Sequence, residues 1–393
     1  MYLRNDSLIY NSQNVMLNLF QHLLSRRKIP KQVRNDLTST ISKFIEPQNL
    51  LIVRTDRIGD VILSLPLAGI VKKHFPDCKV TFLVRDYTRE LVENHPYIDN
   101  ILTLKEENGR VSIKNNIAEI KKYNFDSSII VYPTFATSLI IFLSGIKNRI
   151  GTGYRWYSIL FNEKVYEHRK YAERHELEFN VNLLRKFNID ERVNPANVRF
   201  NIYINPESDK KIKRELKENS IDPVKPIIIF HPGSLGSSID LPIEKFKELI
   251  HLVNDKTGFQ IIITGSRNER ELCEKLVLNN RINNLAGKFS LSEMISLINL
   301  SGIFVSNSTG PIHIAAALNK YTIGFYPKIL ACSAKRWGPY TQKAIVFIPE
   351  IDCENCDREQ CNDLSCMSSI NVMNVFAEIE KIYKLITNNG EIK

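Results

Sequence analysis

Leu50-Leu-Ile-Val-Arg-Thr-Asp-Arg-Ile-Gly-Asp60 is the stretch that decides the fold. Its apolar residues predict a buried strand, Gly59 permits a sharp turn, and a helix is expected from near Asp60 to about Lys73. Further strands are predicted at Lys79–Val84, Ile101–Leu104, Ser127–Val131, Pro226–Phe230, Gln260–Ile263, Gly302–Val305 and Tyr321–Phe325. Strands that alternate with helices favour parallel sheets covered on both faces, which is an α/β fold.

The chain has 393 residues, which exceeds one compact core and predicts two domains. A stretch with Asn and Pro, from Asn194 to Pro206, precedes a charged helix and a second series of strands. We therefore predict two doubly wound, Rossmann-like domains. The expected boundaries are 1–47 for an N-terminal helical extension, 48–205 and 206–370 for the two domains, and 371–393 for a C-terminal helix that packs back toward the first domain.

The N-terminal extension carries apolar residues between Val15 and Leu24, followed by Arg26-Arg-Lys28. Two interpretations stay open: a helix packed on the body of the protein, or an amphipathic element on an anionic membrane. The first residues carry charges and amides where a secretory signal has an apolar core, so no such signal is expected. The apolar run from Leu139 to Ile146 is too short to span a bilayer.

The formal net charge of +10 indicates an anionic partner. Nucleic acid, an anionic membrane surface and a phosphorylated small molecule all meet that requirement. No basic motif rich in aromatic residues supports nucleic acid, so none is expected as a partner. The uneven distribution of the seven cysteines suits a reducing cytoplasm better than a disulfide-stapled secreted fold.

Asp60 follows the first strand, at or near the start of the next helix. One interpretation is that its carboxylate is only an N-cap, which satisfies free amides of that helix. The other is that it faces a cleft and takes a proton from an attacking hydroxyl.

Phe230-His-Pro-Gly-Ser234 also follows a strand directly. Gly233 lets the backbone approach a ligand closely, and the amides around Ser234 are able to point at phosphate oxygens. An ordinary loop would also contain Pro-Gly.

The strongest local signal is Val305-Ser-Asn-Ser-Thr-Gly-Pro-Ile-His313, which joins a strand to a helix with Pro311 near its first turn. The helix dipole favours an anion at this point. The candidate pyrophosphate ligands are the backbone amides of Thr309 and Gly310 and the hydroxyls of Ser308 and Thr309. His313 either contributes from the first turn or is a helix-surface histidine.

Two more loops follow strands and carry Gly: Ile263-Thr-Gly-Ser-Arg-Asn-Glu269 and Asn284-Leu-Ala-Gly-Lys288. In a doubly wound domain they border the same crevice. The candidates to contact a nucleobase or ribose are Thr264, Gly265, Leu285 and Gly287. Ordinary turns are the alternative.

Four cysteines crowd near the C-terminus: Cys353, Cys356, Cys361 and Cys366. Four thiols in a short segment suit tetrahedral zinc or iron, and buried reduced thiols without metal are the alternative. No cluster of His or carboxylates accompanies them, so a metal here would be structural.

Together these motifs make the chain resemble the lipopolysaccharide heptosyltransferases, the ADP-heptose-using members of glycosyltransferase family 9. The resemblance runs from about Leu50 to about Leu385. It rests on Arg54 to Pro66, on His231-Pro-Gly-Ser234 and on Ser308-Thr-Gly-Pro-Ile-His313, with further matches at Ile263–Ser266, Asn284–Gly287, Trp337–Pro339 and Cys366-Met367.

The resemblance implies a GT-B fold, with two facing Rossmann-like domains, and an inverting reaction that requires no metal or other cofactor. The nucleotide-diphosphate-sugar donor would bind the C-terminal domain, with the loops at Gly233-Ser234 and Thr309-Gly310 stabilising the departing diphosphate. Asp60 would be the general base. Arg54, Arg57 and Gly59 would lie on the acceptor side.

The acceptor implied by the resemblance is a phosphorylated glycolipid, such as lipid A or the inner core of lipopolysaccharide. The enzyme would then be cytoplasmic, with peripheral contact at the inner face of the membrane, where the positive net charge is favourable.

The chain departs from the family pattern at two places. Where a Lys is expected before a Trp-Pro pair, it has Ile239-Asp-Leu-Pro242, so Lys288 or Lys335-Arg336 are candidates to supply the cation. The acidic residue expected two positions before Gly310 is Ser308, which leaves open a donor sugar other than heptose.

Two other functions stay open: a protein heptosyltransferase of the autotransporter type, and a nucleotide-sugar-binding protein without turnover. An oxidoreductase is disfavoured, because the first strand-to-helix loop lacks the G-x-G-x-x-G pattern that brings a helix close to a dinucleotide.

Overall fold

Two parallel β-sheets, each of six strands, form the framework of the protein. The computed structural model describes residues 46–351, 356–363 and 365–389. The N-terminal extension, apart from residues 46 and 47, and Cys353 lie outside the described residues. Both sheets belong to one compact unit, which begins at Glu46.

The first sheet has its earliest strand at its centre. Its strands are β1 (Asn49–Val53), β2 (Lys79–Val84), β3 (Asn100–Thr103), β6 (Ser127–Ile130), β7 (Asn148–Thr152) and β8 (Glu163–Val165), while β4 (Glu106–Glu107) and β5 (Arg110–Val111) form a separate hairpin. β1 pairs in parallel with β2 and β6, and its residues Leu50 to Val53 are fully buried. Burial on both faces explains the continuous apolar run at this strand.

The second sheet repeats this arrangement. Its strands are β9 (Ile227–His231), β10 (Gln260–Ile263), β11 (Ile282–Asn284), β12 (Ile303–Asn307), β13 (Tyr321–Phe325) and β14 (Ala344–Phe347). Counted within each sheet, both have the strand order 3-2-1-4-5-6. The order reverses between β1 and β6 and between β9 and β12, and ligands of such sheets bind in the crevice at the reversal.

Helices connect the strands. They are α1 (Ile58–Ile62), α2 (Pro66–His74), α3 (Ile113–Lys121), α4 (Phe135–Leu143), α5 (Glu176–Asn182), α6 (Pro206–Glu218), α7 (Ile243–Lys256), α8 (Arg270–Glu274), α9 (Leu291–Leu300), α10 (Gly310–Ala317), α11 (Ala334–Trp337), α12 (Arg358–Asp363) and α13 (Val372–Asn389). None of the described helices has the length and apolar character that crossing a bilayer requires.

The single helix expected from Asp60 to Lys73 is instead two helices, α1 and α2. Pro66 begins the second, and since proline has no N–H it cannot continue the hydrogen bonds of the first. The sequence also missed β7 and β8, in which polar and charged residues outnumber the apolar ones, and it missed the short apolar strand β14.

The last helix, α13, packs on the second sheet. Its apolar residues Val372, Val375, Phe376, Ile379, Ile382 and Ile386 recur at helical spacing and join the core that also contains Phe230, Ile261 and Val305. The expectation that this helix packs back toward the first domain is therefore corrected. The predicted domain boundaries themselves stay a prediction.

Candidate active site

The two sheets approach each other where α1 meets the start of α10. A Cβ atom placed on Gly59 would lie 2.5 Å from Cδ2 of His313, and one placed on Gly310 would lie 2.9 Å from Cβ of Ile58. Nonbonded carbon atoms do not approach so closely. Glycine at both positions therefore lets the loop after β1 contact the loop after β12.

Two cavities border this contact, with volumes of about 390 Å³ and about 510 Å³. We call the smaller one the Asp60 cavity and the larger one the Gly233 cavity. Both are lined by Arg57, Ser237, Thr309 and Gly310, so they meet at the start of α10.

Residues from both sheets line the Asp60 cavity. They are Asp56, Arg57, Gly59, Asp60, Tyr132 and Glu176 from the first, and Ser237, Ser308, Thr309, Gly310, His313, Ala331, Cys332, Arg336 and Trp337 from the second. Asp60 lies in the first turn of α1, whose N-cap is Arg57, so the N-cap interpretation of Asp60 is wrong. Its carboxylate instead borders open space between the sheets.

A fully buried arginine, Arg54, holds the acidic residues of this cavity. Its Nη2 contacts Oδ1 of Asp60, its Nε lies 2.8 Å from Oδ1 of Asp56, and its Nη1 lies 3.6 Å from Oε1 of Glu176. Burial disfavours the guanidinium charge, but these carboxylates outweigh that penalty and raise the pKa of Arg54. Arg54 lines neither cavity, so it lies behind Asp60 and not on the acceptor surface where we expected it.

Glu176 joins the two walls of the Asp60 cavity. Its Oε1 accepts a hydrogen bond from Arg169, and its Oε2 accepts one from Nη2 of Arg336 at 3.1 Å. Glu176 begins α5 after the first sheet, whereas Arg336 belongs to α11 after β13. Burial opposes the ionised form, but Arg169, Arg54 and Arg336 outweigh it and lower the pKa of Glu176.

Among the acidic residues that line the Asp60 cavity, Asp56 is the one whose negative charge is least offset by neighbouring cations. Burial raises its pKa to about 7, since the attraction of Arg54 does not offset desolvation and the nearby Asp60 charge. Its Oδ1 forms an ion pair with Nε of Arg54, but the angles between the two groups are not those of a hydrogen bond, and no other described residue donates to it. Asp56 therefore changes charge near neutral pH, next to Asp60.

His313 is buried in the wall of the Asp60 cavity, and its Nδ1 has no hydrogen-bond partner among the described residues. Burial, with a smaller contribution from His175, lowers the pKa of His313 to about 3. The imidazole is therefore neutral at physiological pH and brings no positive charge to a bound phosphate.

The Gly233 cavity has an apolar part that suits a nucleobase. Its apolar lining comprises Ile58, Tyr87, Leu235, Leu285, Phe289, Leu291, Met294 and Pro311. Its polar lining comprises Arg57, His231, Ser234, Ser237, Thr264, Ser266, Glu269, Ser290 and Thr309, with Gly233, Gly265, Gly287 and Gly310. Small-molecule sites combine an apolar lining with a few placed polar groups in this way.

Glu269 lies against Gly233 within this cavity. A Cβ atom on Gly233 would lie 1.9 Å from Oε1 of Glu269, so only glycine permits this approach. Oε2 of Glu269 accepts hydrogen bonds from the backbone N–H of Ser266 at 2.8 Å and from its hydroxyl at 2.7 Å. The carboxylate is thus fixed, with Oε1 toward Gly233, and it is able to accept hydrogen bonds from ribose hydroxyls.

The start of α10 lies at the junction of the two cavities. Its N-cap is Thr309, and no described side chain caps its free amides. Asn307 fixes the loop before it, because its Oδ1 accepts from the N–H of Leu241 at 2.8 Å and its Nδ2 donates to the carbonyl of Pro232. The amides of the first turn are therefore held in place and available to an anion.

The sequence profile of glycosyltransferase family 9 (heptosyltransferase) matches residues 114–366, which is more than half of the chain. The chain belongs to glycosyltransferase family 9. A glycosyltransferase of Haemophilus influenzae is 28% identical to it over 341 residues, which cover 84% of this chain and 96% of that protein.

Two solved structures share the fold of this family 9 glycosyltransferase. A family 9 glycosyl transferase from Veillonella parvula superposes with a TM-score of 0.73 at 18% identity, over 86% of this chain and 97% of its own. The ADP-heptose lipopolysaccharide heptosyltransferase II of Escherichia coli superposes with a TM-score of 0.69 at 19% identity, over 85% of this chain and 98% of its own. The predicted α/β fold of the GT-B type is confirmed.

The glycosyltransferase brings nearly all of the predicted site residues to the two cavities. The Gly233 cavity contains Gly233, Ser234, Thr264, Gly265, Leu285, Gly287, Thr309, Gly310 and Pro311. Ser308 and His313, which we predicted to bind the donor, line the Asp60 cavity from the second sheet, and their role stays a prediction. Arg57, predicted on the acceptor side, borders both.

Several lining residues were missed from the sequence. The capping box formed by Ser266 and Glu269 has a local pattern, Ser-x-x-Glu after a strand, that could have drawn attention to Glu269. Glu176 and Arg336 carry no such pattern. Their positions depend on contacts between chain segments that are far apart in sequence.

The cysteine hypothesis stays a prediction. Within the described residues, no group of three or more His, Cys, Asp or Glu side chains has the geometry of a metal site. Cys353 lies outside those residues, and Cys356, Cys361 and Cys366 line neither cavity.

The contact between Gly59 and His313 predicts a specific energetic coupling. Gly59→Ala should destabilise the protein by about 1–3 kcal/mol, because the new methyl group overlaps the imidazole. In a His313→Ala background the ring is absent, so the same change should cost much less. Urea denaturation of the four proteins in this double-mutant cycle measures the coupling. Equal costs in both backgrounds would show that the two residues do not touch.

The raised pKa of Asp56 predicts a pH-dependent stability. Between the ordinary value of 3.8 and about 7 the folded state binds the Asp56 proton more tightly than the unfolded state, so this group lowers the free energy of unfolding as the pH rises through that window. By about pH 8 this loss of stability is roughly 4 kcal/mol, and Asp56→Asn should remove it. Denaturation curves at about pH 4.5 and about pH 8 measure the difference.

The exposed Asp190 provides the matched control, because 67% of its side chain is accessible to solvent. Asp190→Asn should leave the pH dependence of the wild type unchanged. Parallel pH profiles for the wild type and Asp56→Asn would contradict the assignment.

Proposed function

We propose that the protein is an inverting glycosyltransferase that moves a sugar, heptose or a related one, from a nucleotide-diphosphate donor to a lipopolysaccharide core or similar cell-surface glycan. The observation that carries the proposal is that Asp60 and the start of α10 line one cavity between the two sheets. A base and an anion site on opposite walls are what a direct displacement at the anomeric carbon requires.

The donor binds in the Gly233 cavity. Its nucleobase occupies the apolar part, near Leu285 and Met294, and its ribose hydroxyls donate to Glu269. The diphosphate lies at the start of α10, where the helix dipole and free amides favour negative charge. The Escherichia coli heptosyltransferase II, which shares the fold, is an ADP-heptose enzyme, and this makes ADP-heptose the first donor to test.

The reaction is a single displacement across the Asp60 cavity. An acceptor hydroxyl attacks the anomeric carbon, and Asp60 takes the proton of that hydroxyl as the new C–O bond forms. The bond to the diphosphate oxygen breaks at the same time, and the diphosphate leaves with the electron pair. The amides at Gly310 stabilise the negative charge that develops on it.

Arg54 and Glu176 support this step without contacting the reacting atoms. Arg54 fixes the Asp60 carboxylate, and Glu176 fixes Arg54 and Arg336. These contacts keep the Asp60 carboxylate in one orientation. Proton transfer is efficient only when the base is held in the right position relative to the attacking hydroxyl.

The acceptor enters from the first sheet. Tyr132 is 44% exposed in the Asp60 cavity, and Trp156 is 57% exposed and stacks on Phe135 with ring centroids 4.9 Å apart. These rings follow β6 and β7, at the same sheet edge as Asp60, and offer flat faces to sugar rings. We propose that the acceptor is a phosphorylated glycolipid, such as lipid A or the inner core of lipopolysaccharide. The enzyme would then act at the inner face of the cytoplasmic membrane, where such a glycolipid lies.

The central test is Asp60→Asn, which removes the base and preserves the shape of the side chain. With ADP-heptose and a lipopolysaccharide-core acceptor, kcat should fall by about 10²–10⁴-fold, because general base catalysis contributes on that order. Binding of ADP, measured by calorimetry, should stay within about twofold of the wild type, since the carboxylate does not hold the diphosphate.

Asp190→Asn again serves as the control and should transfer sugar at the wild-type rate. Full transfer activity in Asp60→Asn would exclude Asp60 as the base. A wild type that binds the donor and transfers nothing to any acceptor would favour the binding protein without turnover. Transfer to a polypeptide would favour the protein heptosyltransferase.

A further inference from the structure

The Gly233 cavity has an unusual charge balance for a site that holds a diphosphate. Among the described residues that line it, Arg57 is the only Lys or Arg, and Glu269 adds a negative charge. His231 is neutral, since burial lowers its pKa to about 4. A bound diphosphate would therefore find one full positive charge, and that charge comes from the loop of the opposite sheet.

The alternative cations are already engaged or lie elsewhere. Nζ of Lys288 lies 3.2 Å from Oε1 of Glu215, and Lys288 lines neither cavity. Arg336 lines only the Asp60 cavity, and its guanidinium is bound to Glu176 at 3.1 Å. Lys335 lines neither cavity.

Arg57, in contrast, has an exposed side chain that makes no ion pair with a described residue. Its backbone caps α1, where its carbonyl accepts from the N–H of Val61 at 3.1 Å, but its side chain makes no capping hydrogen bond. The next residue, Ile58, packs against Gly310, since a Cβ atom placed on Gly310 would lie 2.9 Å from Cβ of Ile58. The side chain is thus free to reach a ligand at the start of α10.

We propose that Arg57 is the cation that binds the donor diphosphate and neutralises the leaving group, reaching across the cleft from the first sheet. This inference rests on the proposed function. Because Arg57 belongs to the wall that carries Asp60, donor binding would also draw the base and the anomeric carbon together. The guanidinium would donate two hydrogen bonds to phosphate oxygens, which a lysine ammonium reproduces only as a point charge.

The test is calorimetric titration of the whole chain with the nucleoside diphosphate that binds the wild type most tightly among ADP, GDP and UDP, and with the matching nucleoside. Arg57→Ala should weaken binding of the diphosphate by about 10–100-fold, the usual effect of losing a charge-assisted pair. Binding of the nucleoside should not change. The affinity of Arg57→Lys for the diphosphate should lie between those of the wild type and Arg57→Ala.

Arg185→Ala is the matched control, because it removes the same charge from a surface pair with Asp190 that is remote from both cavities. It should bind the diphosphate like the wild type. The melting temperature of Arg57→Ala without ligand should also equal that of the wild type, as its side chain caps no helix.

Wild-type affinity for the diphosphate in Arg57→Ala overturns the inference and leaves the proposed function intact. An effect confined to the KM of the acceptor also overturns it and assigns Arg57 to an acceptor phosphate. Equal weakening of nucleoside and diphosphate would indicate a structural role and would likewise overturn it. If none of the three diphosphates binds the wild type, the donor site itself fails, and the proposed function fails with it.

Discussion

The close approach of two helix starts is the constraint on which the site depends. Gly59 and Gly310 lack side chains where the two segments meet, and a Cβ atom on either glycine would collide with the opposite segment. Each glycine ends a loop at the reversal of strand order in its own sheet, where doubly wound folds place their ligands. Two ordinary crevices are thereby joined into a single cleft, with a carboxylate on one wall and free amides on the other.

The buried charges around Arg54 determine how the carboxylate wall is presented. An unpaired guanidinium in this position would be strongly destabilising, so Arg54 requires Asp60, Asp56 and Glu176 as partners. The same contacts fix the orientation of Asp60, and Glu176 extends them to Arg336 on the opposite wall. Burial, which the attraction of Arg54 does not offset, and the nearby charge of Asp60 raise the pKa of Asp56 to about 7.

Features that depend on neighbouring residues were predictable from the sequence. Apolar runs located the central strands, and glycine and small polar residues after β1, β9, β10 and β12 located the cleft. Features that depend on distant contacts were not. Arg54 and Arg57 stand in one loop, yet the first is buried behind Asp60 and the second borders both cavities. Ser308 and His313 likewise line the Asp60 cavity from the second sheet, because α10 lies against α1.

The most direct test of this account is a crystal structure of the wild-type protein with the nucleoside diphosphate that it binds most tightly. Phosphate oxygens are expected about 3 Å from the amides at the start of α10. The terminal phosphate is expected to face Asp60 across the cleft. A nucleotide bound outside the Gly233 cavity, or a diphosphate turned away from Gly310 with no path to Asp60, would contradict it.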